Sequence, residues 1–382
     1  MKLLMIGWGL PQNTSGGMDT YCRNICAEMS KEHEVYLTIP KFNLPDEIED
    51  MGNVCLVPID SEKKKDMVET VLEYNKKIVE AFSEEVFDIV HVNDWLGVMA
   101  ANRLKECVKT PFVFTIHSLE YMRRGTDRRE KCDLDFLEHM GIRNSDAIIT
   151  VSKLMKKEIA EKFDVKPEKI HAVHNGFLVP ETPGDSGYIR KKHKTGNDRI
   201  VLYIGRLQKQ KGVEYFIKAA GEILKERQDT TFVIAGFGIF EKSLKKFSDM
   251  MKLGNKTVFA GKIANEELLP YYASADVFVS PSLWEPFGLT ITEAMSQKVP
   301  VVATDMAGAV EYMEDGKDVI RVKARSSDAI ASAVIKLLND EKLAKEIGNK
   351  GFEYCKKNFS WKKCAEKTLE VYKSIQGLNL NL

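Results

Sequence analysis

Short apolar runs alternate along this chain with stretches whose apolar side chains recur at helical spacing. Residues 2–7 are almost continuously apolar, as expected of a parallel strand buried on both faces. Residues 18–31 follow helical spacing and 33–39 return to a strand, which makes a βαβ opening. The pattern then predicts a helix over 66–82, strands over 88–92, 111–116 and 146–152, and a lysine-rich helix running to Phe163. A strand over 170–175 closes this half at the turn signal Asn175-Gly176. Residues 180–197 are polar, with prolines, glycines and the basic cluster 190–194, and read as a linker. The alternation restarts with a strand over 199–204 and a helix from Val213. Strands over 231–235, 257–260, 276–282 and 300–304 follow, with a helix at 290–296 and an amphipathic helix at 362–375. The expected fold class is α/β: two doubly wound Rossmann-like domains over 1–180 and 198–355, then a terminal segment over 356–382.

Composition narrows the function classes. A chain of 382 residues is long for one core and comfortable for two. Lysine plus arginine equals aspartate plus glutamate at 56 each, so no global basic field points to nucleic acid. The seven cysteines are scattered without a C-x-x-C pair, which argues against a disulfide framework or structural zinc. The opening MKLLMIG is too short for a signal peptide and no run reaches transmembrane length, so a cytoplasmic protein is expected.

Polar residues collect just after the strands, where open α/β sheets bind ligands. Gly288 stands at a helix start, where bare N–H groups and the positive dipole end favour a phosphate, with Glu285 and Glu293 to either side. Such carboxylates suit the sugar hydroxyls of a nucleotide. Arg206, a forked donor, and Lys211, a point charge, are the pair to hold a diphosphate and stabilise it on departure. Gly205 and Gly212 let the backbone bend around it, and Gly236 ends a strand where a flat base can approach. Asp94 and His117 lie at neighbouring strand ends in the first half. Gly16-Gly17 reads either as a tight turn or as backbone close to a diphosphate or sugar. A dinucleotide-binding Rossmann reading fails, because Gln12 stands where a third glycine is needed and residues 38–40 lack the ribose-binding acid. The basic stretch 123–131 reads as a solvated loop or as a contact for an anionic acceptor or a membrane surface.

The string EPFGLTITEA (285–294) resembles the acidic motif of retaining GT-B glycosyltransferases, the family that includes glycogen synthases and many GT4-type transferases. GRLQKQKG resembles its G-R-L-x-x-x-K-G motif, while HVNDW and FTIHS resemble its HxHDW and TxH motifs. The matching motifs run from Gly16 to Trp361, in the family's order. The resemblance implies two domains facing across a cleft, acceptor in the first and nucleotide sugar in the second, with the terminal helix crossing back to the first. It implies Glu285 by the transferred hexose, Glu293 on the ribose, the base near Lys262 and Ile263, and Asp94 and His117 on the acceptor and sugar side. Phe287, Gly288, Leu289 and Thr290 complete the expected donor contacts, with Gly16, Gly17 and Gly236. The implied donor is a UDP-, ADP- or GDP-sugar, with no cofactor and no metal. Two roles fit Glu285, covalent nucleophile or positioning group, and family chemistry favours a front-face displacement in which the leaving phosphate helps deprotonate the acceptor. The motifs lean towards glycogen synthase-like α-1,4-glucan extension. Thr14, at the lysine position of the usual Lys-x-Gly-Gly, leans instead towards a lipid, sugar phosphate or small-molecule acceptor. Phe177-Leu178 in place of Val-Asp, and Ala307 in place of a glycine, are further departures. A GT-B sugar-nucleotide epimerase and a silent sugar-nucleotide binder are the other readings.

Overall fold

The first apolar run becomes β1 (Lys2–Ile6), followed by α1 (Gly17–Met29), β2 (Glu34–Pro40), β3 (Val54–Ile59) and α2 (Met67–Phe82). The structure is a computed structural model and describes residues 1–11, 17–124 and 133–379. The first half continues through β4 (Ile89–Asn93), α3 (Val98–Val108), β5 (Phe112–Ile116), α4 (Glu120–Arg124), α5 (Asp133–Asn144), β6 (Ala147–Thr150), α6 (Lys153–Phe163) and β7 (Ile170–Ala172). Helix starts obey local chemistry. Asp66 accepts from Val68 N at 2.8 Å and Glu69 N at 3.1 Å at the head of α2, and Ser152 accepts from Met155 N at 3.2 Å at the head of α6.

The strands of this half form one parallel sheet in the order β3-β2-β1-β4-β5-β6-β7. The order reverses between β1 and β4, so their C-terminal ends flank the switch point where a doubly wound sheet opens a crevice.

The second half runs α7 (Tyr188–His193), β8 (Arg199–Ile204), α8 (Val213–Glu226), β9 (Thr230–Ala235), α9 (Glu241–Met250), β10 (Thr257–Gly261), α10 (Asn265–Ala273) and β11 (Val277–Ser280). It continues through α11 (Leu289–Ser296), β12 (Val301–Thr304), β13 (Ile320–Val322), α12 (Ser327–Asn339), α13 (Glu341–Asn358) and α14 (Trp361–Asn379). Its parallel sheet has the order β10-β9-β8-β11-β12-β13, with the switch point between β8 and β11.

The described residues fall into two compact units. One runs from Met1 to Gly176, apart from a short piece at Met122, and takes in the chain from Trp361 onward; the other is Phe177–Ser360. Helix α14 therefore belongs to the first unit. Its Trp361, Cys364, Val371, Tyr372 and Ile375 share a core with Tyr21, Cys22, Ile25 and Cys26 of α1. The fit is close at Gly176, where an added Cβ would lie 2.0 Å from the Trp361 ring.

Residues 180–197, expected as a linker, are instead built into the second unit. Ile189 of α7 is fully buried, His193 meets the Tyr271 hydroxyl of α10 at 2.7 Å, and Arg190 donates to Asp276 at 2.9 Å. Lys192 and Tyr188 both bond Glu267. These partners lie about 80 residues away along the chain, so the run looks like a solvated linker when read alone.

Candidate active site

In the second unit the switch point is lined by two loops. The loop after β8 turns back on a chain of backbone bonds: Gly205 N donates to Ala235 O at 3.0 Å and Leu207 N to Phe237 O at 2.8 Å. Gly236 and Gly238 permit this contact. A Cβ on Gly236 would stand 1.9 Å from the Gly205 carbonyl oxygen, and one on Gly238 2.3 Å from that of Leu207. The missing side chain of Gly236, expected to admit a base, thus makes room for the arginine loop. The buried Tyr203 hydroxyl donates to the Arg206 carbonyl at 3.0 Å, and the Arg206 side chain is exposed.

The loop after β11 is tied to this one. Leu283 N donates to Gln210 O at 2.8 Å, and Gly212 adopts φ +61° with the Pro281 carbonyl 2.2 Å from where a Cβ would stand. This apposition brings the two charges together. Lys211 Nζ lies 2.6 Å from Glu285 Oε2, with side-chain exposures of 15% and 10%, and Ser282 Oγ donates to the same oxygen at 3.2 Å. The Glu285 backbone is fixed by Glu285 N→Met306 O and Gly308 N→Glu285 O, both 3.0 Å. Gly288 then turns the chain into α11 at φ +103°, a conformation costly for any residue with a Cβ. Leu289 and Thr290, in the first turn of α11, are half-buried. Phe287 is buried, its ring edge-on to Phe359 at 5.4 Å, so its side chain anchors the loop to the core.

Glu293 sits on α11, where burial pushes its carboxyl above the usual range. The buried Tyr272 of α10 opposes that shift by donating to Oε2 at 2.6 Å. Lys262 is exposed beside β10, its ammonium 5.7 Å from the Phe237 ring centroid, and Ile263 is half-buried.

In the first unit, Asp94 and His117 end the neighbouring strands β4 and β5. Asp94 holds φ +51°, unusual for a residue with a side chain, and Oδ1 accepts from the His117 backbone N at 2.8 Å. Both residues are largely buried, at 3% and 9% exposure. His117 Nε2 lies 3.1 Å from Asn93 Oδ1, and its ring meets that of Tyr21 edge-on at 4.6 Å. His91, on β4 just before Asp94, points into the core towards Thr115 and Tyr372. Burial first, and the nearby His117 second, hold its pKa down at about 3. Gly17 opens α1 and is exposed; Gly16 lies outside the described residues, as does most of the basic stretch 123–131.

The structure therefore joins Lys211 to Glu285 and Asp94 to His117 within their units. Sequence reading missed Ser282, Tyr272 and Asn93. Ser282 carried a weak signal, three residues before Glu285 on the same loop; nothing in the sequence marks Tyr272 as the partner of Glu293.

Residues 186–354 match the family described as Glycosyl transferases group 1, and residues 15–177 match Glycosyltransferase Family 4. An uncharacterised glycosyltransferase of Methanocaldococcus jannaschii is 29% identical over 98% of this chain and 98% of its own. A glycogen synthase of Mycobacterium tuberculosis is 30% identical over 75% of this chain and 68% of its own. Among solved structures, the Anabaena protein HepE in complex with UDP-glucose matches with a TM-score of 0.78 at 18% identity, covering 98% of this chain and 100% of its own. The fold is GT-B in type, with two Rossmann-like parallel sheets. The chain belongs to the group 1, family 4 glycosyltransferases and is an enzyme, a hexosyltransferase.

Proposed function

We propose that the protein moves a hexosyl group, glucosyl in the first instance, from a nucleoside diphosphate sugar to a carbohydrate acceptor with retention at the anomeric carbon. The observation that carries this reading is the 2.6 Å Lys211–Glu285 pair beside the open start of α11. A diphosphate placed there meets a cation, the exposed Arg206 and the N–H groups of α11, all suited to the charge that grows on the leaving oxygen. The bond from the anomeric carbon to phosphate breaks with its electron pair going to the diphosphate. The acceptor hydroxyl attacks from the same face and its proton passes to the departing phosphate, so the products are the glycoside and a nucleoside diphosphate. Glu285 lies by the hexose and Glu293 holds the ribose, with Lys262 and Ile263 near the base. These side chains supply the charge that the step requires, so the reading calls on neither metal nor cofactor. In the first unit, Asp94 and His117 serve the acceptor side, with Asp94 acting through the His117 backbone that it holds.

UDP-glucose is the donor to try first, because HepE was solved with it and shares the fold; ADP- and GDP-sugars follow. Similarity to a glycogen synthase supports an α-1,4-glucan acceptor. Thr14, in place of the usual lysine, favours a second reading in which the acceptor is a lipid, a sugar phosphate or a small molecule. The basic stretch 123–131, most of it outside the described residues, would then serve an anionic acceptor or a membrane surface. Among the described residues no helix is long and apolar enough to cross a membrane.

The test is incubation with UDP-, ADP- and GDP-sugars against glucans, sugar phosphates and lipids, detecting nucleoside diphosphate and product together. Acceptor-dependent release with an α-linked product is expected from UDP-glucose. Donor epimerisation without acceptor, or donor binding with no release over the whole panel, would overturn the reading.

A further inference from the structure

The end of β4 carries a polar group to which the proposed chemistry gives no role. Asn93 is 1% exposed and stands between the end of β1 and the end of β5. Its Nδ2 lies 3.3 Å from the Ile6 carbonyl oxygen and 3.5 Å from Met5 Sδ, and its Oδ1 lies 3.1 Å from His117 Nε2. A backbone carbonyl only accepts, so the amide nitrogen must face Ile6. The reverse orientation would set two acceptor oxygens against each other. The amide oxygen is thereby left facing His117, and an amide oxygen also only accepts. The proton must therefore sit on His117 Nε2.

We propose that Asn93 is a positioning residue for His117: its side-chain carbonyl holds the imidazole in the Nε2–H tautomer and makes Nδ1 the ring's acceptor nitrogen. The two nitrogens of a neutral imidazole have opposite hydrogen-bonding roles, and the partner of one sets the role of the other. Whatever meets Nδ1 must then donate a hydrogen bond or a proton to it. A sugar hydroxyl reaching that atom would present its hydrogen. The Asp94 carboxylate acts on the main chain of His117, its Oδ1 accepting from the backbone N at 2.8 Å. Three constraints thus meet on one residue: Asp94 fixes its main chain, Tyr21 packs on the ring at 4.6 Å, and Asn93 fixes the proton.

The inference rests on His117 serving the acceptor side, but its test needs no substrate and so fails or stands separately from that reading. Long-range ¹H–¹⁵N correlation on ¹⁵N-labelled protein, at a pH where the ring is neutral, distinguishes the protonated, pyrrole-like nitrogen from the pyridine-like one. The chain has seven histidines, and the resonances lost in His117→Gln identify the ring. The wild type should show a pyrrole-like Nε2 and a pyridine-like Nδ1. Asn93→Leu removes the acceptor, and the two shifts should move towards each other as the tautomers mix. Asn93→Asp loses the Ile6 bond but keeps an acceptor oxygen, and should retain the Nε2–H signature even if the Leu variant fails to fold. A wild-type ring protonated on Nδ1, an unchanged tautomer in Asn93→Leu, or loss of the signature in Asn93→Asp would each overturn the proposal.

Discussion

Lys211 and Glu285 neutralise each other in a place from which water is largely excluded, so each would set the charge state met by a donor at the proposed site. Replacing Glu285 by glutamine removes the group proposed beside the hexose and leaves the Lys211 charge uncompensated. Turnover should fall by about 100-fold, the scale of losing one main transition-state stabiliser. Binding of UDP should hold or tighten. Glu293→Gln should instead weaken UDP by about 1 to 3 kcal/mol, because the ribose contact proposed for Glu293 would be made equally in ground and transition states. Calorimetric titration of UDP beside the turnover rates checks both; weaker UDP binding in Glu285→Gln with unchanged binding in Glu293→Gln would reverse the placement of the donor. His91 makes a separate statement about stability. Its folded pKa of about 3 lies below the unfolded value, so the unfolded chain binds the extra proton between about pH 6.5 and pH 3. Stability is full above that window and falls as the pH drops through it, by about 1.4 kcal/mol per pH unit from this ring alone. Denaturant unfolding over that range should show a slope shallower by that amount in His91→Gln; an unaltered slope would contradict the neutral, buried ring.

At the scale of elements, the candidate site is made by two loops that touch through a glycine. Gly212 and Gly254 share a left-handed backbone, at φ +61° and +55°, but only the first has a neighbour where a Cβ would stand. Gly254→Ala should therefore cost about 1 to 2 kcal/mol of conformational strain. Gly212→Ala must also displace the Pro281 carbonyl, which should add about 1 to 3 kcal/mol and part Lys211 from Glu285. Thermal unfolding and turnover of the two variants check this, and equal losses would show that the loop contact is not what Gly212 serves. The same contrast explains what could be read in advance. The strands β1, β8 and β9 and the helices α6 and α8 follow from apolar runs and helical spacing, which are local. Gly212 was legible as a bend, but not as the seat of Pro281. The polar segment 180–197 hid Ile189 and its α10 partners because they come from distant sequence. Motif order brought Lys211 and Glu285 into one site, whereas the Tyr272–Glu293 and Asn93–His117 pairs depend on register between elements that no motif records.

At the scale of the whole molecule, the chain builds the same device twice: a parallel sheet whose strand order reverses, at β1 and β4 in one unit and at β8 and β11 in the other. The unit between Phe177 and Ser360 carries the cations and the helix start suited to a diphosphate. The other carries the strand-end Asp94 and His117, and takes Trp361 and Tyr372 of α14 into its core. Loss of donor chemistry should therefore be possible without loss of fold, since Arg206 is exposed and Lys211 half-buried on loops outside both sheets. In the proposed reaction Arg206 and Lys211 carry the charge of the departing diphosphate. The most direct measurement is the rate of nucleoside diphosphate release, at saturating donor and acceptor, from the wild type, Arg206→Ala and Lys211→Ala, with circular dichroism confirming that all three are folded. A loss of about 100-fold or more is expected in either variant; release within a few-fold of wild type in either would rule out that role for the two cations.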